Sequence, residues 1–78
     1  MSITVSTTIE RIDRMQSDTY GNPRYRLFFR GDAGQLLDGV LSGSQAYAVT
    51  DGWEDAQAYI TYKPLKRFII IEDVDLIT

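Results

Sequence analysis

The stretch from Asn22-Pro23 to Gly31-Asp32 constrains this chain more than any other. Proline biases the residue before it toward extended backbone, and glycine admits tight turns. The two dipeptides therefore bracket Arg24 to Arg30 as a β-strand. Side chains alternate across a strand, so residues two apart share a face. Tyr25, Leu27 and Phe29 make an apolar core face, and Arg24, Arg26, Phe28 and Arg30 make the other, three cations around one ring. A one-residue bulge inside this strand would exchange part of that face with the core.

The flanking segments extend the β pattern. Ile3 to Met15 is rich in β-branched residues, which favour strand. Its apolar phase runs through Ile3, Val5 and Ile9, then shifts at Ile12; a β-bulge or sharp bend near Glu10 accounts for the shift. Gln16 to Pro23 is turn-rich, and Gly31-Asp32-Ala33-Gly34 suits a hairpin. Gln35 to Leu41 then returns as a third strand. Ser44 is a candidate N-cap for a short helix over Gln45 to Val49, ending before Asp51-Gly52. Ala56 to Lys63 forms a fourth strand and Arg67 to Ile77 a fifth, joined at Pro64-Leu65. In the fifth, Phe68, Ile70, Val74 and Leu76 share one face, and Ile69, Ile71 and Ile77 the other.

The order β-β-β-α-β-β, with a long bent first strand and one short helix between strands three and four, is that of a small five-stranded OB-like barrel. Residues 1–78 are expected to form this one domain. Closure removes the exposed edges that so many β-formers would otherwise leave. An SH3-like barrel, which needs no helix at 44–50, is the alternative, and an open sheet closing only in a dimer is a third.

At Gly21-Asn22-Pro23-Arg24-Tyr25-Arg26 the chain resembles a group of small proteins from actinobacteria and their phages. These combine a Gly-Asn-Pro-aromatic turn-strand with a later helix and two closing strands. The resemblance implies a small intracellular accessory protein of phage origin, and supplies no functional residues.

Composition narrows the chemistry. The chain has no cysteine and no histidine, which removes disulfides, thiolate metal sites, the commonest metal ligand and the usual general base. Gly31 to Gly34 lacks the lysine and helix of a phosphate-binding loop. Asp73 and Asp75 share a strand face while Glu72 points away, so these carboxylates converge poorly for a metal. The expectation is a non-enzymatic protein without metal or cofactor. The longest apolar run, Phe68 to Ile71, is too short to span a membrane. The N-terminus shows no signal core, so a cytoplasmic location is expected.

Two functions fit these residues. Single-stranded nucleic acid binds to basic grooves with exposed aromatics. Arg24, Arg26, Phe28 and Arg30 supply both, and Lys63, Lys66 and Arg67 add a basic cluster at the turn between strands four and five. The net charge of −3 weighs against this, and the arginines can instead pair with Glu10, Asp13 or Asp38 across the sheet. The alternative is a protein-interaction or homo-oligomeric assembly module, such as a phage accessory protein acting on a host protein. Its interface residues would be Trp53 and Tyr59, although a plug at the barrel end is the preferred reading of Trp53.

Overall fold

The computed structural model describes residues 1–77. Five strands make a closed barrel: β1 (Ile3–Arg14), β2 (Tyr25–Arg30), β3 (Leu36–Leu41), β4 (Gln57–Pro64) and β5 (Ile69–Leu76), in the order β1-β2-β3-β5-β4 with β4 returning to β1. The architecture is mainly β, a small closed barrel of the OB-like or SH3-like kind. No helix among the described residues is long and apolar enough to cross a membrane.

β1 serves two neighbours in turn. Ile3 to Thr8 pair with β4, and Ile9 to Arg14 pair with β2. The register shifts between Ile9 and Arg11, which is the bulge expected near Glu10. At the handover, Ile9 exchanges backbone hydrogen bonds with Asp55 (2.7 Å) and Ala56 (2.9 Å). Asp55 adopts φ 67° there, a left-handed conformation that aspartate tolerates better than most residues. The bulge turns Val5, Ile9 and Ile12 to one side despite their mixed spacing.

Leu27 and Phe29 of β2 are fully buried, with Ile9, Leu41, Ala58 and Ile60 around them. The Phe29 and Tyr62 rings meet at 5.4 Å, tilted by 59°, a geometry that adds to simple burial. The anticipated alternation of β2 therefore holds.

β3 and β5 run parallel, and pair only from Gly39 to Leu41 against Ile69 to Ile71. A Cβ on Gly39 would lie 2.8 Å from Cγ1 of Ile71 and 3.0 Å from Cγ2 of Ile69. Glycine is what lets the two strands close the barrel.

Two expectations need correction. The short helix over Gln45 to Val49 is instead a 3-10 turn, Gly43–Ala48, followed by a second, Asp51–Trp53. Ser42, not Ser44, stands at the cap position, and its side chain makes no capping bond. A segment this short holds only through tertiary packing, and here only Ala46 is buried. In β5 the expected grouping of Phe68 and Ile70 with Val74 and Leu76 is broken: Ile71 and Val74 are buried and Ile69 and Leu76 half-buried, whereas Phe68 and Ile70 face outward. The cause is a bulge. Tyr62 pairs with Ile71 but Thr61 pairs with Asp73, leaving Glu72 as the extra residue. Inward positions change from odd to even across it.

Candidate functional site

On the outside of the barrel, Phe28 lies opposite Arg11 of β1 and Asp38 of β3, and Arg26 lies opposite Asp13 and Val40. Cross-strand neighbours on one face sit within reach of each other, and the charges here pair. Arg30 Nε lies 2.8 Å from Glu10, Arg11 Nε 2.8 Å from Asp13, and Arg26 Nη1 3.4 Å from Asp38. Arg24 precedes β2, and its Nε donates to the Gln16 carbonyl at 2.9 Å. Phe28 is half-buried, with the Arg11 guanidinium 5.4 Å from its ring centre, a favourable cation–π approach. The Arg24, Arg26, Phe28, Arg30 face is thus a real outer surface, but its charge is largely balanced and its ring is half-buried beside Arg11.

The β4–β5 turn differs. Lys63, Lys66 and Arg67 are exposed, and none forms an ion pair among the described residues. The turn is closed by Leu65 N–H donating to the Phe68 carbonyl at 2.8 Å. Phe68 is 54 % exposed. Between this turn and β3 runs a groove of about 330 Å³ lined by Arg26, Asp38, Leu65, Arg67, Phe68 and Ile69. It exists because β5 accompanies β3 only from Gly39 onward, so Leu36 to Asp38 pair with β2 on one side and have no strand on the other. Beyond the groove, Arg26, Val40, Ile70 and Lys63 form one continuous cross-sheet row. The fold therefore brings the two basic groups together at Arg26 and Arg67. Arg24 and Arg30 are held elsewhere, one by the loop and one by Glu10.

Trp53 offers little surface to a partner. It is 6 % exposed and packs in the core cluster from the end of the second 3-10 turn, as the plug reading expects of a buried ring. Tyr59 is 48 % exposed, opposite Ser6 and Asp75 on a different face of the barrel. Tyr20 is exposed in the β1–β2 loop. That loop is tied by Asp18, whose carboxylate accepts the N–H groups of Tyr20 and Asn22, both at 2.9 Å, and the Asn22 side-chain amide. The Asn22 backbone N–H is the main cause holding the Asp18 pKa below its usual value. A smaller hollow, about 230 Å³, lies among Ile12, Arg14, Tyr25, Val49 and Glu54. Its Arg14 already donates to Met15, Ser17 and Tyr25.

Phe68 and Leu65 were missed as site residues by sequence reading. The uninterrupted Phe68 to Ile71 run hides which side faces the core. The local Lys66-Arg67-Phe68 triplet was the available signal. No protein-family model and no curated protein matches this chain.

Proposed function

We propose that this protein is a non-enzymatic, cytoplasmic module that binds single-stranded nucleic acid in the groove between β3 and the β4–β5 turn. One observation carries the reading: Lys63, Lys66 and Arg67, exposed and without an ion pair among the described residues, cluster at the β4–β5 turn beside the half-exposed Phe68, and Arg67 and Phe68 line one groove with Arg26. Single strands are held by cations that follow the phosphates and rings that stack on bases. Arginine suits both tasks, because its planar fork pairs with phosphate and stacks on bases. In OB-like barrels, this side of strands two and three with the β4–β5 loop is the usual ligand surface. Fold alone does not grant the function; the residue set supports it. Exposed ion pairs contribute little to stability, so the Arg26–Asp38 pair is no barrier to a phosphate. The stacking ring in this reading is Phe68, and Phe28 supports the floor beneath Arg11.

The test is fluorescence anisotropy of a labelled single-stranded oligonucleotide at low and moderate salt. Binding should saturate and weaken steeply with salt, and Phe68→Ala should lose about 1–3 kcal/mol. Replacing Lys66 and Arg67 by alanine should flatten the salt dependence, by roughly 0.7 for each phosphate that is no longer neutralised. Absence of binding at low salt, where attraction is strongest, would overturn the proposal.

A second reading rests on a separate observation. Leu36, Leu65 and Ile70 are exposed apolar residues on β3, the turn and β5. A protein-interaction or assembly role would cover them. It predicts a solution mass above one chain, or capture of a host protein that Phe68→Asp abolishes.

A further inference from the structure

We infer that the groove selects guanine bases through the Asp38 carboxylate, an inference that rests on the single-strand reading of the same groove. A carboxylate is out of place where phosphates are to be held, because it repels them. Asp38 is nevertheless the one carboxylate among the described groove-lining residues, beside Arg26, Arg67 and Phe68. Its ion pair with Arg26 engages Oδ2 from a single guanidinium nitrogen at 3.4 Å, longer than a charge-assisted hydrogen bond, and its side chain stays 51 % exposed. The carboxylate therefore retains acceptor capacity toward the groove. Because β5 does not accompany β3 at Leu36 to Asp38, this carboxylate is reachable from the side on which Phe68 stands.

An ionised carboxylate only accepts hydrogen bonds, through two oxygens side by side. Guanine alone among the bases presents two adjacent donors, N1–H and the 2-amino group, on its Watson–Crick edge. Adenine and cytosine place an acceptor nitrogen beside their amino group, which a carboxylate repels. Thymine flanks its single N–H with carbonyl oxygens. Single strands are read on that edge while the base is stacked on an aromatic ring. Phe68 supplies the ring, Asp38 the acceptors, and Arg26 keeps further donors for the neighbouring phosphate. Sites built to hydrogen-bond a ligand donor reject analogues that lack it.

The test uses labelled thymidine oligomers of about twelve nucleotides, within the span of one OB-like site. They carry no substitution, or a single central guanine, hypoxanthine or adenine. Wild-type protein should bind the guanine oligomer roughly tenfold more tightly than the all-thymine one. Hypoxanthine, which lacks the 2-amino group, should lose most of that advantage, and adenine all of it. Asp38→Asn should raise affinity for the all-thymine oligomer, by removing a repulsive charge, while abolishing the guanine preference. Equal, salt-sensitive binding of all four oligomers by wild-type protein would overturn the guanine inference and leave the single-strand reading intact. A guanine preference that survives Asp38→Asn would overturn it as well. No binding of any oligomer at low salt would overturn both.

Discussion

β5 makes two seams, and they are unlike. With β4 it pairs from Ile69 to Leu76, the whole length of the strand. With β3 it pairs only over Ile69 to Ile71. Outside the long seam and the adjoining β1–β4 pairing runs a polar ladder: Thr4 and Thr61 hydroxyls bond at 2.9 Å, Tyr59 stands between Ser6 and Asp75, and Ser2 bonds Glu72. Past Ile71 it offers carboxylates and hydroxyls, with Glu72, Asp73 and Asp75 exposed. The short seam leaves two stretches of strand edge open. One, beside β3, becomes the groove facing the basic turn. The other, beyond Ile71, is closed by a side chain: Gln45 Oε1 accepts the Val74 N–H at 3.1 Å, and Nε2 donates to Asp73 at 2.7 Å. The same barrel thus presents a cationic opening on one side and an acidic wall on the other. The length of strand pairing, together with local charge, separates them.

The largest effect should come from Ile71→Ala, because Ile71 is 4 % exposed and sits at the junction of both seams, opposite Leu41 and Tyr62. A loss of about 2–5 kcal/mol in urea denaturation is expected. A cost under about 1 kcal/mol would mean the seams do not share a core. Gly39→Ala attacks the short seam alone. Its new Cβ would collide with Ile71 and Ile69, so destabilisation of about 1–3 kcal/mol should follow. If the seam gives way instead of the side chains, amide exchange will rise in β3 and β5 and leave β1–β4 protected.

Gln45→Ala removes the side chain that substitutes for a strand. It should cost about 0.5–1.5 kcal/mol and speed exchange of the Val74 amide specifically; unchanged exchange there would show that solvent serves equally well. The smallest effect lies off both seams. Asp18 has a folded-state pKa below its ordinary value of 3.8. Such a group contributes stability that is fully present above the unfolded value and lost as pH falls through the folded one. The Tyr20 and Asn22 amide resonances should therefore move only below about pH 4. Asp18→Asn should remove that transition and leave the barrel signals in place.

Much of the fold was legible from short-range pattern. The strict alternation of Tyr25 to Arg30 survives because β2 carries no bulge between its turns. The bend near Glu10 was legible because Val5, Ile9 and Ile12 cannot share a side of an unbroken strand. The bulge at Glu72 was not, since Ile69-Ile70-Ile71 is apolar at every position and carries no phase. That one hidden residue puts Phe68 on the opposite side from Val74 and Leu76, at the groove. The short helix failed for a related reason: two turns carry almost no intrinsic stability, so packing of Ala46 and Trp53 chose the 3-10 form.

By itself the sequence determined the strands, their turns and the chemical character of each face, because alternation and turn preference act between residues a few positions apart. Tertiary structure decided which cations remain unpaired and where the barrel stays open. Arg26 meets Asp38, and Arg30 meets Glu10, only through the register of strands distant in sequence. The groove exists only because β5 joins β3 for three residues. Both depend on how strands align with their partners, and no local pattern encodes that alignment.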